Sequence, residues 1–288
     1  MFKKVATLLL GITILIPSIG VSADDNSRPT YSKSELKKAA ETSNMSVEEL
    51  DAFLQTEWKE YKKAKKNWKE TINTQKKELA NKIKKQDLNV SSISSSEVET
   101  YLTKLEGKDY TFNSETGQIT FEDNTSGSFS TLSTSSSLGT IGDVLVTLDA
   151  SSSSNYIGGH AAIVSNYSNN WTLESFMVGF SEQSPDKDGV MWQINNWKTR
   201  YDSVAGYWVT SSESGDYNNA AQYAENQLHE PYNINFFDVW DTEKWYCSQL
   251  VWRAWYEQGE DLDGTANAVV MPKDLTTSDH VYAFYDSL

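Results

Sequence analysis

Cysteine is almost absent from this chain of 288 residues: Cys247 is the only one. A disulfide framework within the monomer is therefore impossible. Histidine is nearly as scarce, with His160, His229 and His280 alone. There is no His-x-x-x-His pair, no cysteine pair and no His doublet flanked by Glu, so no metal site is expected. No glycine-rich phosphate loop follows a strand-like run, since Gly158-Gly159 is too short for one. No Gly-x-Ser-x-Gly elbow marks a serine nucleophile. No unit recurs at a fixed period, which argues against a solenoid or propeller. Positive charge is sparse in the second half. From residue 131 onward there are six basic residues (Lys187, Lys198, Arg200, Lys244, Arg253 and Lys273) against 21 acidic ones. That half carries about −15 by itself and would repel nucleic acid, which disfavours chemistry on that polymer.

What is present begins with an export pattern. Lys3 and Lys4 precede an apolar run from Val5 to about Ile19, and Val21-Ser22-Ala23 supplies small residues for cleavage. Residues 1–23 are thus expected to be a signal peptide and the protein to be secreted or associated with the cell wall. In an oxidising compartment a lone thiol is a liability unless it is buried or useful. The length suits one sizeable domain plus a smaller module. Eight of the ten tryptophans follow residue 170, so a well-filled core is expected there.

Residues 24–105 read as a helical module. Ser32-Lys33-Ser34-Glu35 and Ser46-Val47-Glu48-Glu49 are capping boxes. The first helix should end near Ser43-Asn44. The second is long, with Leu50, Leu54, Trp58, Tyr61, Ala64, Trp68, Ile72, Leu79 and Ile83 recurring at spacings of three and four. Between Lys59 and Lys85 it holds eleven lysines against Glu60, Glu70 and Glu78. A solvated face opposite an apolar seam explains that pattern, and contact with an anionic polymer or membrane surface outside the cell is the sharper reading. A short helix is expected near 97–105. Residues 106–137 carry a hairpin, Tyr110–Phe112 with Ile119–Phe121, and a linker rich in Ser, Thr and Gly. From residue 138 to 288 the pattern turns to strands at Val144–Leu148, Ala161–Val164, Trp171–Phe176, Val190–Ile194 and Gly206–Thr210. Helices follow, one capped by Asp216 and one from Cys247 to Gln258 that Gly259 ends. The fold class is α+β.

Three residues could carry chemistry. Leu250, Val251, Ala254, Trp255 and Gln258 lie at +3, +4, +7, +8 and +11 from Cys247, so the cysteine opens a helix and shares its core face. Free cysteine is ordinarily a small buried hydrophobe. At a helix start, the dipole and backbone N–H groups can instead favour the thiolate and hold an oxyanion. His160 follows two glycines at the start of a strand-like run and is the natural imidazole base for a thiol. Glu174 is the third. If the two strands flanking Asn166–Asn170 form a hairpin centred on Tyr167, Glu174 stands directly opposite His160. A register slid by one residue would turn it to the other face.

Gly142-Asp143-Val144-Leu145, Gly159-His160-Ala161-Ala162-Ile163-Val164, Thr172-Leu173-Glu174-Ser175 and Trp245-Tyr246-Cys247-Ser248-Gln249-Leu250-Val251-Trp252 together resemble the YiiX/YebB-like family of permuted papain-like amidases, relatives of the NlpC-type cell-wall peptidases. Pro231-Tyr232-Asn233 and Pro272-Lys273-Asp274-Leu275 also fit. The resemblance covers about residues 138–288. It implies a circularly permuted papain-like domain with an antiparallel sheet or barrel and helices, in which the histidine precedes the cysteine. It also implies a catalytic Cys247, His160 and Glu174, with Tyr246 shaping the substrate pocket or assisting the oxyanion, and no cofactor. Where relatives often have Gly before the Pro-Tyr step, this chain has His229-Glu230-Pro231. The implied activity is a thiol-dependent amidase or peptidase acting on an extracellular amide, a cell-wall peptide first. A lipid acyltransferase or thioesterase and a non-catalytic wall-binding protein are the alternatives.

Overall fold

The protein is described by a computed structural model covering residues 33–85, 110–113, 118–121, 137–149, 158–209, 212, 214–264 and 269–288. The expected signal peptide, the helix near 97–105 and most of the linker lie outside these residues. Two helices come first, α1 (Lys33–Thr42) and α2 (Val47–Lys85). The second capping box forms as expected: Glu49 Oε2 accepts from the Ser46 backbone N–H at 2.8 Å and the Glu49 N–H donates to Ser46 Oγ at 3.1 Å. The hairpin pairs β1 (Tyr110–Asn113) with β2 (Gln118–Phe121).

Six strands then build one antiparallel sheet: β3 (Val144–Thr147), β4 (His160–Val164), β5 (Trp171–Phe176), β6 (Gly189–Ile194), β7 (Val204–Val209) and β8 (Val281–Asp286). Their spatial order is β6-β5-β4-β3-β7-β8. β6 and β8 are edges, so the sheet is open and not closed into a barrel. Four helices join it: α3 (Trp197–Arg200), α4 (Ser214–Glu225), α5 (Cys247–Tyr256) and α6 (Pro272–Leu275). β8 was not legible beforehand, nor were α3 and α6, each a single turn.

Both faces of the sheet are covered, which is why the central strands read as continuous apolar runs rather than alternating ones. Every residue of β3 and β4 is buried. On one face Val144, Val146, Ala161 and Ile163 pack with Ala220 and Ala224 of α4, Leu250 and Trp255 of α5, and Trp58, Tyr61, Trp68 and Ile72 of α2. On the other, Leu145, Ala162 and Val164 pack with Leu138, Trp197, Trp208 and Phe284. The long helix therefore contributes its apolar seam to the main core. Its Trp68 also donates from Nε1 to the Tyr207 hydroxyl at 2.7 Å. Lys76 and Lys69 both pair with Asp286 at the end of β8, the former at 2.8 Å.

The Gly-Asp motif is a structural joint. Gly142 donates its N–H to Val164 O, and Val164 returns an N–H to Asp143 O, so the motif extends the β3–β4 ladder. Gly142 has φ +78, and a Cβ there would stand 2.5 Å from Tyr217 O. The Asp143 carboxylate is buried and accepts from the Thr140 N–H at 2.7 Å. Burial raises its pKa to about 8 against that lowering contact with Thr140.

Two outcomes follow from this architecture. Trp68→Ala should cost about 3–5 kcal/mol, the usual penalty for emptying a buried tryptophan site. It should lower one shared unfolding transition seen both by helix and by sheet probes, and a helix that melts separately while the sheet stays unaffected would contradict a common core. Asp143 should make the protein less stable as pH rises from about 4 to about 8. Its folded pKa is raised, so its contribution is complete below pH 3.8 and is lost as pH climbs towards about 8. Asp143→Asn should flatten that decline in melting temperature, and an unchanged slope would show another group to be responsible.

Candidate active site

The first residue of β4 is His160, and its direction is set by the glycine before it. Gly159 has φ +84, and a Cβ there would stand 2.5 Å from Thr147 O on the neighbouring strand. The turn into β4 is thus available to glycine and closed to larger residues. His160 shares the face of Ala162 and Val164 and is fully buried. Its ring lies 4.4 Å from that of Phe176 and stacks on Trp197 at 5.6 Å and 11°.

Glu174 reaches it from β5. The pairs Ile163–Leu173 and Val164–Thr172 fix the register. Continued along the strands, this register sets His160 level with Phe176, not with Glu174 as a hairpin centred on Tyr167 would have it. The difference is a slide of the pairing by two residues, which keeps Glu174 on the same face as a diagonal neighbour. The contact forms all the same: His160 Nε2 lies 2.6 Å from Glu174 Oε2, with both side chains wholly buried.

The other carboxylate oxygen is held from three sides. Glu174 Oε1 accepts from Trp197 Nε1 at 3.0 Å, from Arg200 Nη2 at 2.5 Å and from the Thr172 hydroxyl. Burial by itself would raise the Glu174 pKa, but Arg200 and His160 outweigh it and hold the carboxyl at about 2. Trp197 and Arg200 come from α3, three residues apart and so on one side of the turn. Neither was foreseen as part of the site. A signal existed, because Arg200 and Arg253 are the only arginines in a half that holds 21 acidic residues.

Cys247 opens α5, with Tyr246 as its N-cap. The preceding segment is tied down on several sides. Ser175 Oγ, next to Glu174, donates to Trp245 O at 2.5 Å. Trp245 N–H donates to Pro231 O, and Asn233 N–H to Trp245 O. His229, where glycine was expected, adopts φ 74 in the left-handed region. Its N–H and the Glu230 carbonyl both bond to Val190 on β6, so that ladder holds a non-glycine residue there. Gln249 Oε1 accepts the Tyr246 N–H at 3.2 Å while its Nε2 donates to the carbonyls of Val239 and Asp241.

The thiol and the imidazole meet at the end of the sheet, the cysteine from the helical side and the histidine from the other. With Nε2 facing Glu174, Nδ1 is the nitrogen left for the sulfur, and it has no nitrogen or oxygen partner. Burial lowers the His160 pKa, but the hydrogen bond and charge of Cys247, with those of Glu174, reverse this and raise it above 6.5. Cys247, His160 and Glu174 are thus contiguous. Tyr246 lies beside them, fully buried, its hydroxyl oxygen accepting the Val270 N–H at 3.1 Å. An apolar cluster makes up part of the surroundings of the thiol. Tyr232, Phe236, Tyr246, Val269 and Met271 are buried with it, and Phe53, Met177, Ile234 and Phe237 form a partly exposed outer layer. Phe53 of α2 meets Phe237 at 4.6 Å between ring centroids. Among the described residues, no group of three or more His, Cys, Asp or Glu side chains is arranged to hold a metal ion.

No curated protein matches the chain. A family model does, over residues 114–283, which take in β3 to β7, the cysteine helix and the start of β8. The chain belongs to that family, described as permuted papain-like amidase enzyme, YaeF/YiiX, C92 family.

Proposed function

We propose that the protein is an exported cysteine hydrolase that cleaves an extracellular amide, a cell-wall peptide foremost, through Cys247, His160 and Glu174. One observation carries this reading: the chain's only thiol and one of its three histidines converge, buried, on an ionised glutamate. The family's description as an amidase supports the reaction class. The amino-terminal pattern at Lys3–Ala23 supports export.

In the proposed reaction His160 Nδ1 takes the thiol proton and Sγ adds to the amide carbonyl. The oxyanion is held by backbone N–H groups at the start of α5. As the C–N bond breaks, the imidazolium gives its proton to the departing amine. Water, deprotonated by the same nitrogen, then attacks the thioester. The acid is released and the sulfur recovers its proton. Glu174 keeps Nε2 protonated and so leaves Nδ1 facing the sulfur.

A second reading rests on the apolar cluster on one side of the thiol, which would accommodate a fatty acyl group. It makes the protein a thioesterase or acyltransferase using the same triad.

Cys247→Ala should abolish both turnover and labelling by an electrophilic probe located by mass spectrometry. Turnover that persists in this variant removes the thiol mechanism. A panel of peptide amides and long-chain acyl thioesters, assayed on the native enzyme, separates the two readings by the ratio of kcat/KM. The pH profile tests Glu174. The leaving amine needs the imidazolium, whose pKa is raised, so activity should persist above pH 6.5 and fall as His160 finally loses its proton. Glu174→Gln removes one raising influence and should move this alkaline limb to lower pH; a limb that stays in place would deny the carboxylate its role.

A further inference from the structure

We infer that Arg200 is a fourth, positioning member of the site, whose task is to keep Glu174 ionised and aimed. This inference rests on the triad reading and deepens it.

The argument starts from what a buried carboxylate requires. Glu174 is fully shielded from water, and desolvation alone would drive it to take a proton. A protonated Glu174 would donate or fall silent at Oε2 and would withdraw the negative charge that favours the His160 imidazolium. His160 cannot be the sole counter-charge, because it passes its proton to and fro during the proposed reaction. A second cation that never titrates removes that conflict, and guanidinium is the side chain that fits.

The geometry meets this requirement. Arg200 Nη2 donates to Oε1 at 2.5 Å, while His160 holds Oε2. The two cationic partners therefore use different oxygens and do not compete for one. The Arg200 side chain is only 2% exposed. Its guanidinium lies 5.3 Å from the Trp197 ring and 4.9 Å from that of Tyr201. Its Nε and Nη1 are buried without hydrogen-bond partners. A buried guanidinium that spends one N–H on Glu174 and leaves others unsatisfied is poorly explained as a general structural anchor. It is well explained as a fixed charge chiefly for Glu174, with Glu182 a lesser carboxylate neighbour. With Arg200 in place the Arg–Glu pair is neutral, and the proton that moves is shared between sulfur and imidazole alone.

The test reads the acid limb of Cys247 alkylation by iodoacetamide, followed against pH in the full chain. In Arg200→Gln, burial is no longer offset by the guanidinium, and Glu174 should take up a proton within the working range. The acid limb should then move up by about one pH unit or more, a roughly tenfold loss of rate at a pH on that limb. Arg200→Lys restores the charge and should return the limb towards the native position. In the Glu174→Gln background, Arg200→Gln should shift nothing further. An acid limb unmoved in Arg200→Gln, or moved equally in the Glu174→Gln background, overturns the inference. If the neutral variant does not fold, the carboxyl carbon of Glu174 in the native protein, observed by NMR with side-chain labelled Glu and assigned by its loss in Glu174→Gln, decides the matter. It should keep its ionised shift well below pH 4.5, and a midpoint at or above that value overturns the inference. Failure of the triad reading looks different, since the native thiol would then show no enhanced alkylation at any pH.

Discussion

The buried carboxylate of Glu174 is the constraint around which the second half of the chain is arranged. An ion taken from water loses several kcal/mol of solvation and is tolerated only with close compensation. Here the compensation comes from four donors on three elements: Thr172 on β5, His160 on β4, and Trp197 and Arg200 on α3. Each fixes where its own element can lie. The turn of helix after β6 exists where it does because two of its four residues must reach Oε1. The stacking of Trp197 on the imidazole then follows from the same placement. One ionised group thus binds together strand register, helix position and ring orientation, and by holding Nε2 it leaves Nδ1 as the nitrogen on the other side of the ring.

Much of this was legible in the sequence because its signals are local. The capping box at Ser46–Glu49, the spacing of Trp58, Tyr61, Trp68 and Ile72, and the run after Cys247 each state a helix through residues three and four apart. β4 and β5 announce themselves by apolar content and a polar turn between them. The hairpin register was missed by two residues because turn length cannot be counted when Ser168, Asn169 and Asn170 all suit a turn. The consequence was small, since a slide of two preserves the face. What local pattern cannot supply is a partner chosen across the fold. Arg200 lies 26 residues beyond Glu174 and comes to it through a strand and a turn. β8 is apolar on both faces and carries no hairpin signal, because its neighbour β7 lies far back in the chain.

The long helix shows how charge and packing divide one element. Its seam enters the core beneath the sheet, while Lys69, Lys76 and Lys65 reach Asp286 and Asp149 on the acidic half. These pairs are partly buried, with the Asp286 side chain only 5% exposed, so solvent screens them less than it would surface pairs. Their value lies in sign: an excess of acid in residues 131–288 is met by lysines on the helix laid across it. The same helix touches the thiol's surroundings twice, through Phe53 against Phe237 and through Glu57, which pairs with Lys273 at 3.2 Å.

In the proposed reaction, burial of the site would have two opposed effects on acyl transfer. Exclusion of water strengthens every charge interaction along Arg200, Glu174, His160 and Cys247, because little solvent is left to screen them. It also closes the path to a sulfur that is wholly shielded from solvent. The partly exposed Phe53, Met177, Ile234 and Phe237 pack against the cluster that holds the sulfur, and in the proposed reaction a substrate would displace part of this layer. These side chains are apolar and partly exposed, so their displacement by an apolar portion of a substrate exchanges one hydrophobic contact for another at small net cost. Displacement by a charged or strongly hydrated group has no such return. Under the proposed reaction, the layer packed around the thiol would therefore also discriminate at its entrance by desolvation, with the charged groups behind it indifferent to which acyl group arrives.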